Sequence, residues 1–263
     1  MSETVQSVVA EIEAELNQQV KIECQVLANG IAALKTEVFT QPVYYRTLAS
    51  THLSLALPPG FTIWADEWKI KKSIILSRLH SLSGSTTRVF GRNTKVLRIH
   101  QPEADVFLDQ NHLKGSAKGK YKLALQWKGK LVAVAVFSKG LTVERQGQQL
   151  ESFQLIRHCN LLNHTVVGGL SKLLKHFIEL VKPDDIMTYA ESGLSDGDVF
   201  EKLGFKKVDH TDVIYLRWDA TKQQRVFATR LEREQSGKEE LEKKYPFQLP
   251  GNQKYLLLLN KKK

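Results

Sequence analysis

Residues 151–181 read ESFQLIRHCNLLNHTVVGGLSKLLKHFIELV. The first nine, 151–159, carry the apolar and aromatic content of a strand. A loop follows, and Val166-Val167-Gly168-Gly169-Leu170-Ser171-Lys172 then opens an amphipathic helix that runs through Val181 and stops at Lys182-Pro183. Two adjacent glycines let a backbone approach a ligand closely, and the free N–H groups of a helix start form an anion site. Val167, Gly168, Gly169, Ser171 and Lys172 are therefore the candidate anion ligands, with Arg157 on the preceding strand adding charge. Close backbone packing explains a Gly-Gly pair equally well, so both readings stand. The GxxxxGK[ST] spacing of a Walker loop is absent.

Working outward, residues 185–190 (DIMTYA) predict a strand, and 197–203 a short helix closed by Gly204 in the C′ position. Two strands follow near 205–209 and 212–218. Upstream, strands are expected at 88–99, 121–127 and 131–138, the last two turning at Lys128-Gly129-Lys130. This alternation predicts an α/β core over residues 86–219. Residues 1–85 form an N-terminal segment. Ser2 or Thr4 caps a helix bearing Val5, Val8, Val9, Ile12 and Leu16, and period-two alternation over Val20–Val26 predicts a strand before the Ala28-Asn29-Gly30 turn. Residues 31–57 show no clear period, and Pro58-Pro59-Gly60 ends them. A basic helix from about Asp66 to Leu82 buries Ile70, Ile74, Ile75, Leu79 and Leu82. Residues 220–263 form a charged extension, helical from Arg225, with a closing strand at 253–259.

The chain has 38 Lys+Arg against 28 Asp+Glu, a net charge of +10. This charge is uneven. Residues 69–143 hold 15 Lys/Arg and only Glu103, Asp105 and Asp109 as acids, a net +12. Such a band suits a polyanion, because neutralising phosphates releases counterions, and it equally suits a solvated surface. Lys71, Lys72, Arg78, Arg88, Arg92, Lys118, Lys120 and Lys122 are the candidate nucleic-acid contacts. Trp64, Trp68, Phe90, Tyr121 and Trp127 in or near the band stack on bases in one reading and pack in a core in the other.

A hydrophobic content of 42% with 25% charged residues excludes wholesale disorder. No apolar run approaches the roughly 20 residues that span a bilayer, and no membrane partner is expected. The acidic, amphipathic N-terminus does not read as a signal peptide. Two cysteines, Cys24 and Cys159, cannot build a disulfide framework, so a cytoplasmic home is expected. His158, Cys159 and His164 lack paired ligand spacing, and no metal is expected there.

The order of hairpin, strand, glycine-opened helix, strand and short helix ending in Leu203-Gly204-Phe205 resembles the GNAT acyltransferase superfamily, over about residues 88–218. The resemblance implies a GNAT-like mixed central sheet flanked by helices. It also implies acetyl-CoA or another acyl-CoA as cofactor, its pyrophosphate on the glycine turn. The turn, Thr165 to Leu170, departs from the family's Gln/Arg-x-x-Gly-x-Gly/Ala. Phe200 stands about where many members place a tyrosine that protonates the departing thiolate. A closer resemblance is to uncharacterised phage and bacterial proteins related to this superfamily. It is carried by Asp66-Glu67-Trp68, Arg92, Phe107-Leu108 with Asn111-His112 and Gly115, Leu155-Ile156-Arg157-His158-Cys159, Val166 to Leu174, and Tyr189-Ala190 with Ser195-Asp196-Gly197. The GNAT-like phage Mom family of DNA-modification proteins makes a nucleobase acceptor conceivable by analogy.

His112, in a loop before the basic hairpin, is the candidate general base for an acceptor amine. Tyr189 and Ser195 follow the next strand and are candidates to orient the acceptor or donate a proton. The expected function is acyl transfer from acyl-CoA to an amine, with nucleic acid as a candidate acceptor. The alternative is a nucleic-acid-binding protein whose GNAT-like core has lost catalysis.

Overall fold

The computed structural model describes residues 4–16, 20–27, 30–49, 57–145, 147–191, 193–194 and 197–259. Ser2, Ser195, the Ala28-Asn29 part of the expected turn and the closing Lys261-Lys262-Lys263 lie outside the described residues. In chain order the elements begin with α1 (Val5–Glu15), β1 (Glu23–Val26), β2 (Ile31–Lys35), β3 (Val43–Arg46), β4 (Phe61–Trp64) and α2 (Ala65–Leu82). Next come β5 (Thr87–Phe90), a 3-10 turn at Gly91–Asn93, β6 (Lys95–Arg98), α3 (Gln101–Asn111), β7 (Tyr121–Trp127), β8 (Lys130–Phe137), β9 (Leu141–Arg145) and β10 (Gln148–Asn160). The chain continues through β11 (His164–Val167), α4 (Gly169–Val181), β12 (Asp185–Ala190), α5 (Asp198–Lys202) and β13 (Lys206–His210). It closes with β14 (Ile214–Asp219), β15 (Gln224–Phe227), α6 (Arg230–Gln235), α7 (Lys238–Lys244), β16 (Phe247–Leu249) and β17 (Gln253–Leu258).

These elements fall into two compact units, and neither is one continuous stretch of chain. The first gathers residues 1–76, 190–196 and 210–253; the second gathers 77–189, 197–209 and 254–263. The consecutive segments 1–85, 86–219 and 220–263 expected from the sequence do not follow this division. β14, expected to end the core, belongs to the first unit, and β17 from the far end returns to the second.

The second unit holds an eight-stranded sheet of order β13-β17-β12-β10-β8-β7-β6, with β9 paired on β10. β6, β7, β8 and β10 run antiparallel to their neighbours, while β10 and β12 run parallel. The chain is thus α/β, with a mixed central sheet flanked by helices. α3 covers one face, its Ala104, Phe107 and Leu108 packing on Ala124, Val134 and Val136. The alternate residues Tyr121, Phe137 and Phe153 meet Phe177 of α4, which stacks on Phe137 at 3.9 Å between ring centroids. Period-two alternation of strands puts these sets on opposite faces.

An excised 86–219 fragment lacks β17, the strand between β13 and β12. It also loses Tyr255 and Leu256, which are 1% and 8% exposed. Such a fragment is expected to show no cooperative thermal transition, where the full chain shows one; circular dichroism checks this.

The first unit carries a four-stranded sheet, β1-β2-β3-β4, and a three-stranded sheet, β15-β14-β16. Residues 31–57, without a clear period in the sequence, hold the short strands β2 and β3, whose residues are almost all buried. Alternation fails where both faces are covered. The expected helix from Arg225 is instead strand β15, because Arg225 and Val226 pair with Trp218 and Arg217 of β14. Helix returns at α6, where Thr229 caps and Glu232 reaches back to the Thr229 N–H at 2.9 Å. In α2, Ile74, Ile75, Leu79 and Leu82 are buried as expected, whereas Ile70 is exposed and the helix is kinked at Lys71.

Candidate functional site

Strand β10 sets the geometry. Its Ser152, Phe153 and Gln154 pair with Asp185, Ile186 and Met187 of β12, and the ladder then ends. Polar contacts pin this end: Arg145 Nε donates to Asp185 at 2.9 Å, Ser152 Oγ donates to Asp185, and the Glu151 N–H donates to Asp184 at 2.7 Å. Where the strands separate, Thr188 Oγ1 donates to the Leu155 carbonyl at 3.0 Å. On its other side β10 stays paired with β8, but the register slips between Leu155 and Arg157. Ile156 and Cys159, three apart, both pack on the α3 side, the odd spacing that a bulge produces. From Ile156 to Asn160, the edge of β10 facing β12 carries no strand partner among the described residues.

Beyond β10, β11 pairs with β5 in parallel and delivers the chain to α4. Gly168 is the N-cap, at φ 72°, with no side-chain cap and no acid in the first turn of the helix. The positive φ there calls for glycine, whereas Gly169 is required by space: a Cβ would stand 2.8 Å from Val166 Cγ1. The first N–H groups of α4 therefore lack both intrahelical and side-chain partners. Val167, Gly168 and Ser171 are exposed around them. Lys172 turns inward, its Nζ donating to the Gly91 carbonyl at 3.0 Å and to the Thr94 carbonyl. The backbone of Gly91 packs so tightly on Val167 and Gly168 that a Cβ would meet them at 3.1 Å. Lys172 thus locks the 3-10 turn against the helix start. Phe90 is exposed beside this turn, with the Arg92 guanidinium 5.0 Å from its ring centroid.

Arg157 sits at the bulge, Nη1 donating to the Ile156 carbonyl at 2.9 Å, with Nε buried and unpartnered. His158 Nε2 and Asn160 Oδ1 are also buried without a partner. Burial lowers the His158 pKa to about 4 and pushes the Cys159 thiol up to about 12. Cys159 is inert as a nucleophile. An unfolded histidine titrates near 6.5, so below that pH the unfolded chain takes up a proton that folded His158 refuses until about pH 4. Its contribution to stability is unchanged above pH 6.5 and is lost as pH falls through this window, by about 3 kcal/mol at the lower end. His158→Gln is expected to remove that slope in urea unfolding compared at pH 7, 5.5 and 4.5.

His112 is the C-cap of α3. The Lys114 backbone N–H donates to its Nδ1 at 3.0 Å, which puts the proton of the neutral ring on Nε2. Asn111 Oδ1 accepts from the Leu162 N–H at 2.8 Å, tying the end of α3 to the loop after β10. Tyr189 is half-buried on β12 beyond the divergence. Phe200 of α5 packs on Phe205 and on Tyr255, at 5.7 and 5.6 Å between ring centroids.

No family model and no curated protein matches the chain. Among solved structures, it is similar to an HPA2-related histone acetyltransferase from Corynebacterium glutamicum, with 14% identity over 65% of this chain and 99% of that one, at a TM-score of 0.37. A Bacillus subtilis acetyltransferase in complex with CoA is 12% identical over 64% of this chain and 99% of that one, at 0.38. A KacTA–DNA complex is 17% identical over 54% and 96%, at 0.33. Alignments this loose leave function to the chain's own strand order and site.

The eight expected nucleic-acid contacts divide between the units. Lys71 and Lys72 lie in the first, and Arg78, Arg88, Arg92, Lys118, Lys120 and Lys122 in the second. Lys72 is paired with Glu11, and Lys122 donates to the Gly119 carbonyl at 2.9 Å. Arg88, Arg92, Lys118 and Lys120 are exposed. Of the five aromatics, Trp64 and Trp68 are buried, Tyr121 packs in the α4 cluster, Trp127 is half-buried and Phe90 is exposed. Reasoning from sequence missed α3 altogether, although Pro102 and Glu103 mark its first turn. His158, read from the sequence as a packing residue, has a buried Nε2.

Proposed function

We propose that this chain is an acyl-CoA-dependent N-acyltransferase of the GNAT type. The observation that carries this reading is β10: it leaves β12 after three paired residues, bulges at the point of separation and leads into a glycine-opened, uncapped helix. The residues present fit an acyl-CoA. N–H groups at the start of α4 without intrahelical or side-chain partners, with no acid in its first turn, suit a pyrophosphate. The unpaired edge of β10 offers amide hydrogen bonds to an extended pantetheine arm. A bound acyl-CoA supplies an activated acyl carbonyl, whose carbon joins the acceptor nitrogen as its bond to sulfur breaks; the amine gives up a proton and the thiolate gains one.

The chain's own groups then take defined roles. The N–H groups of Gly169, Leu170 and Ser171 hold the pyrophosphate beside Val167 and Gly168, while Lys172 braces the turn and adds positive charge. A free N–H on β10 beyond the bulge polarises the acyl carbonyl, and Arg157 fixes the bulge through its bond to Ile156. His112 reaches a base role only by giving up its bond from Lys114. Burial leaves His158 a weak base with an enclosed Nε2, so the proton-accepting role stays with His112, whose Nδ1 becomes available when the Lys114 contact opens. Tyr189 orients the acceptor or protonates the leaving thiolate, since Phe200 brings no hydroxyl; Ser195, the other candidate, lies outside the described residues.

A nucleic-acid amine is the finer proposal for the acceptor, supported by exposed Arg88, Arg92, Lys118 and Lys120. Phe200 favours a second reading, a nucleic-acid-binding protein on the same core without catalysis. Thiol release from acetyl-CoA, assayed with simple amines and with single-stranded and duplex DNA, separates the two. Release stimulated by an acceptor supports transfer; salt-sensitive DNA binding without any release supports the second reading.

A further inference from the structure

The first unit contains a second polar centre, independent of acyl transfer. Arg46 ends β3 and Trp64 ends β4, and the two residues face each other across the parallel ladder. The Trp64 ring carries two guanidinium groups: the central carbon of Arg46 lies 5.0 Å from its centroid and that of Arg225 lies 3.7 Å. Arg225 Nε donates to both carboxylate oxygens of Asp66, at 2.9 and 3.0 Å, and its Nη2 lies 3.6 Å from Glu67. Its Nη1 is buried and has no partner. Arg46 is 5% exposed, its Nε is buried without a partner, and no carboxylate among the described residues pairs with it. Burial and the neighbouring Arg225 charge both lower its pKa.

A buried guanidinium without an anion is costly, and a second one beside it adds repulsion. We propose that Arg46 and Arg225 form an oxyanion site that takes the carboxylate of a small monoanionic molecule against Trp64. Asp66 and Glu67 both stand against Arg225, so the four charges sum to zero while Arg46 is left without a carboxylate of its own among the described residues. A single carboxylate meets that local need, whereas a phosphate dianion would add a second charge facing both acids. A planar carboxylate also matches the edge of a guanidinium fork.

The test titrates the full chain with acetate and with benzoate at constant ionic strength, reading tryptophan fluorescence and the thermal midpoint. A saturable fluorescence change with a rise in the midpoint is expected. Arg46→Met should weaken the response about tenfold or more. Because methionine replaces an unpaired buried charge with apolar volume, this variant is expected to stay folded. Arg46→Lys keeps the charge but loses the fork, and it is expected to weaken the response too, which supplies a comparison should the methionine variant not fold. The proposal is overturned by no saturable response to either carboxylate, by an unchanged response in both variants, or by inorganic phosphate binding more tightly than both.

Discussion

Ser171→Glu is expected to weaken acyl-CoA binding by about a hundredfold or more while leaving the unliganded protein as stable as before, or more so. Ser171 is exposed and is the third residue of α4, a helix with no acid in its first turn. A carboxylate there complements the partial positive charge of the helix start, typically worth about 0.3–1 kcal/mol. It also occupies the N–H groups assigned to the pyrophosphate and repels its charge. A hundredfold loss corresponds to about 2.7 kcal/mol. Opposite signs on affinity and on stability distinguish loss of an anion site from damage to the fold. Calorimetric affinity and the thermal midpoint, measured on the same samples, check both.

Asp66→Ala is expected to destabilise the protein by about 3–5 kcal/mol, the usual loss when one partner of a buried ion pair is removed. Asp66 and Arg225 side chains are each 3% exposed, and Asp66 also accepts from the Arg225 backbone N–H at 2.9 Å. The variant strands a guanidinium that already has one unpartnered nitrogen. Adding Arg225→Met should recover most of the loss, because the stranded charge costs more than the missing pair. Urea unfolding of the two single variants and the double variant closes the cycle.

Much of this fold was legible in the sequence because it is written locally. The stripe on α4, the Lys128-Gly129-Lys130 hairpin and the Gly204 cap each depend on residues within a few positions of one another. What was not legible depends on distant partners. β17 enters the sheet between β12 and β13 after the chain has passed through the other unit, and no periodicity records that return. β15 follows a charged stretch that reads as helix until β14 pairs with it. At the site, the glycine turn was visible, but its relation to Gly91 joins residues far apart in the chain. The same holds for the separation of β10 from β12, which depends on where the β12 ladder stops. The net +12 over residues 69–143 suited a polyanion and a solvated surface equally; of its eight candidate contacts, two belong to the first unit and six to the second.

In the proposed acyltransferase, the start of α4 and the open edge of β10 bind the acyl-CoA. Calorimetric titration of the full chain with CoA tests it most directly. A saturable isotherm with one site per chain is expected, which Ser171→Glu removes and Arg46→Met leaves intact. No binding heat up to millimolar CoA, or an isotherm that Ser171→Glu leaves unchanged, would contradict it.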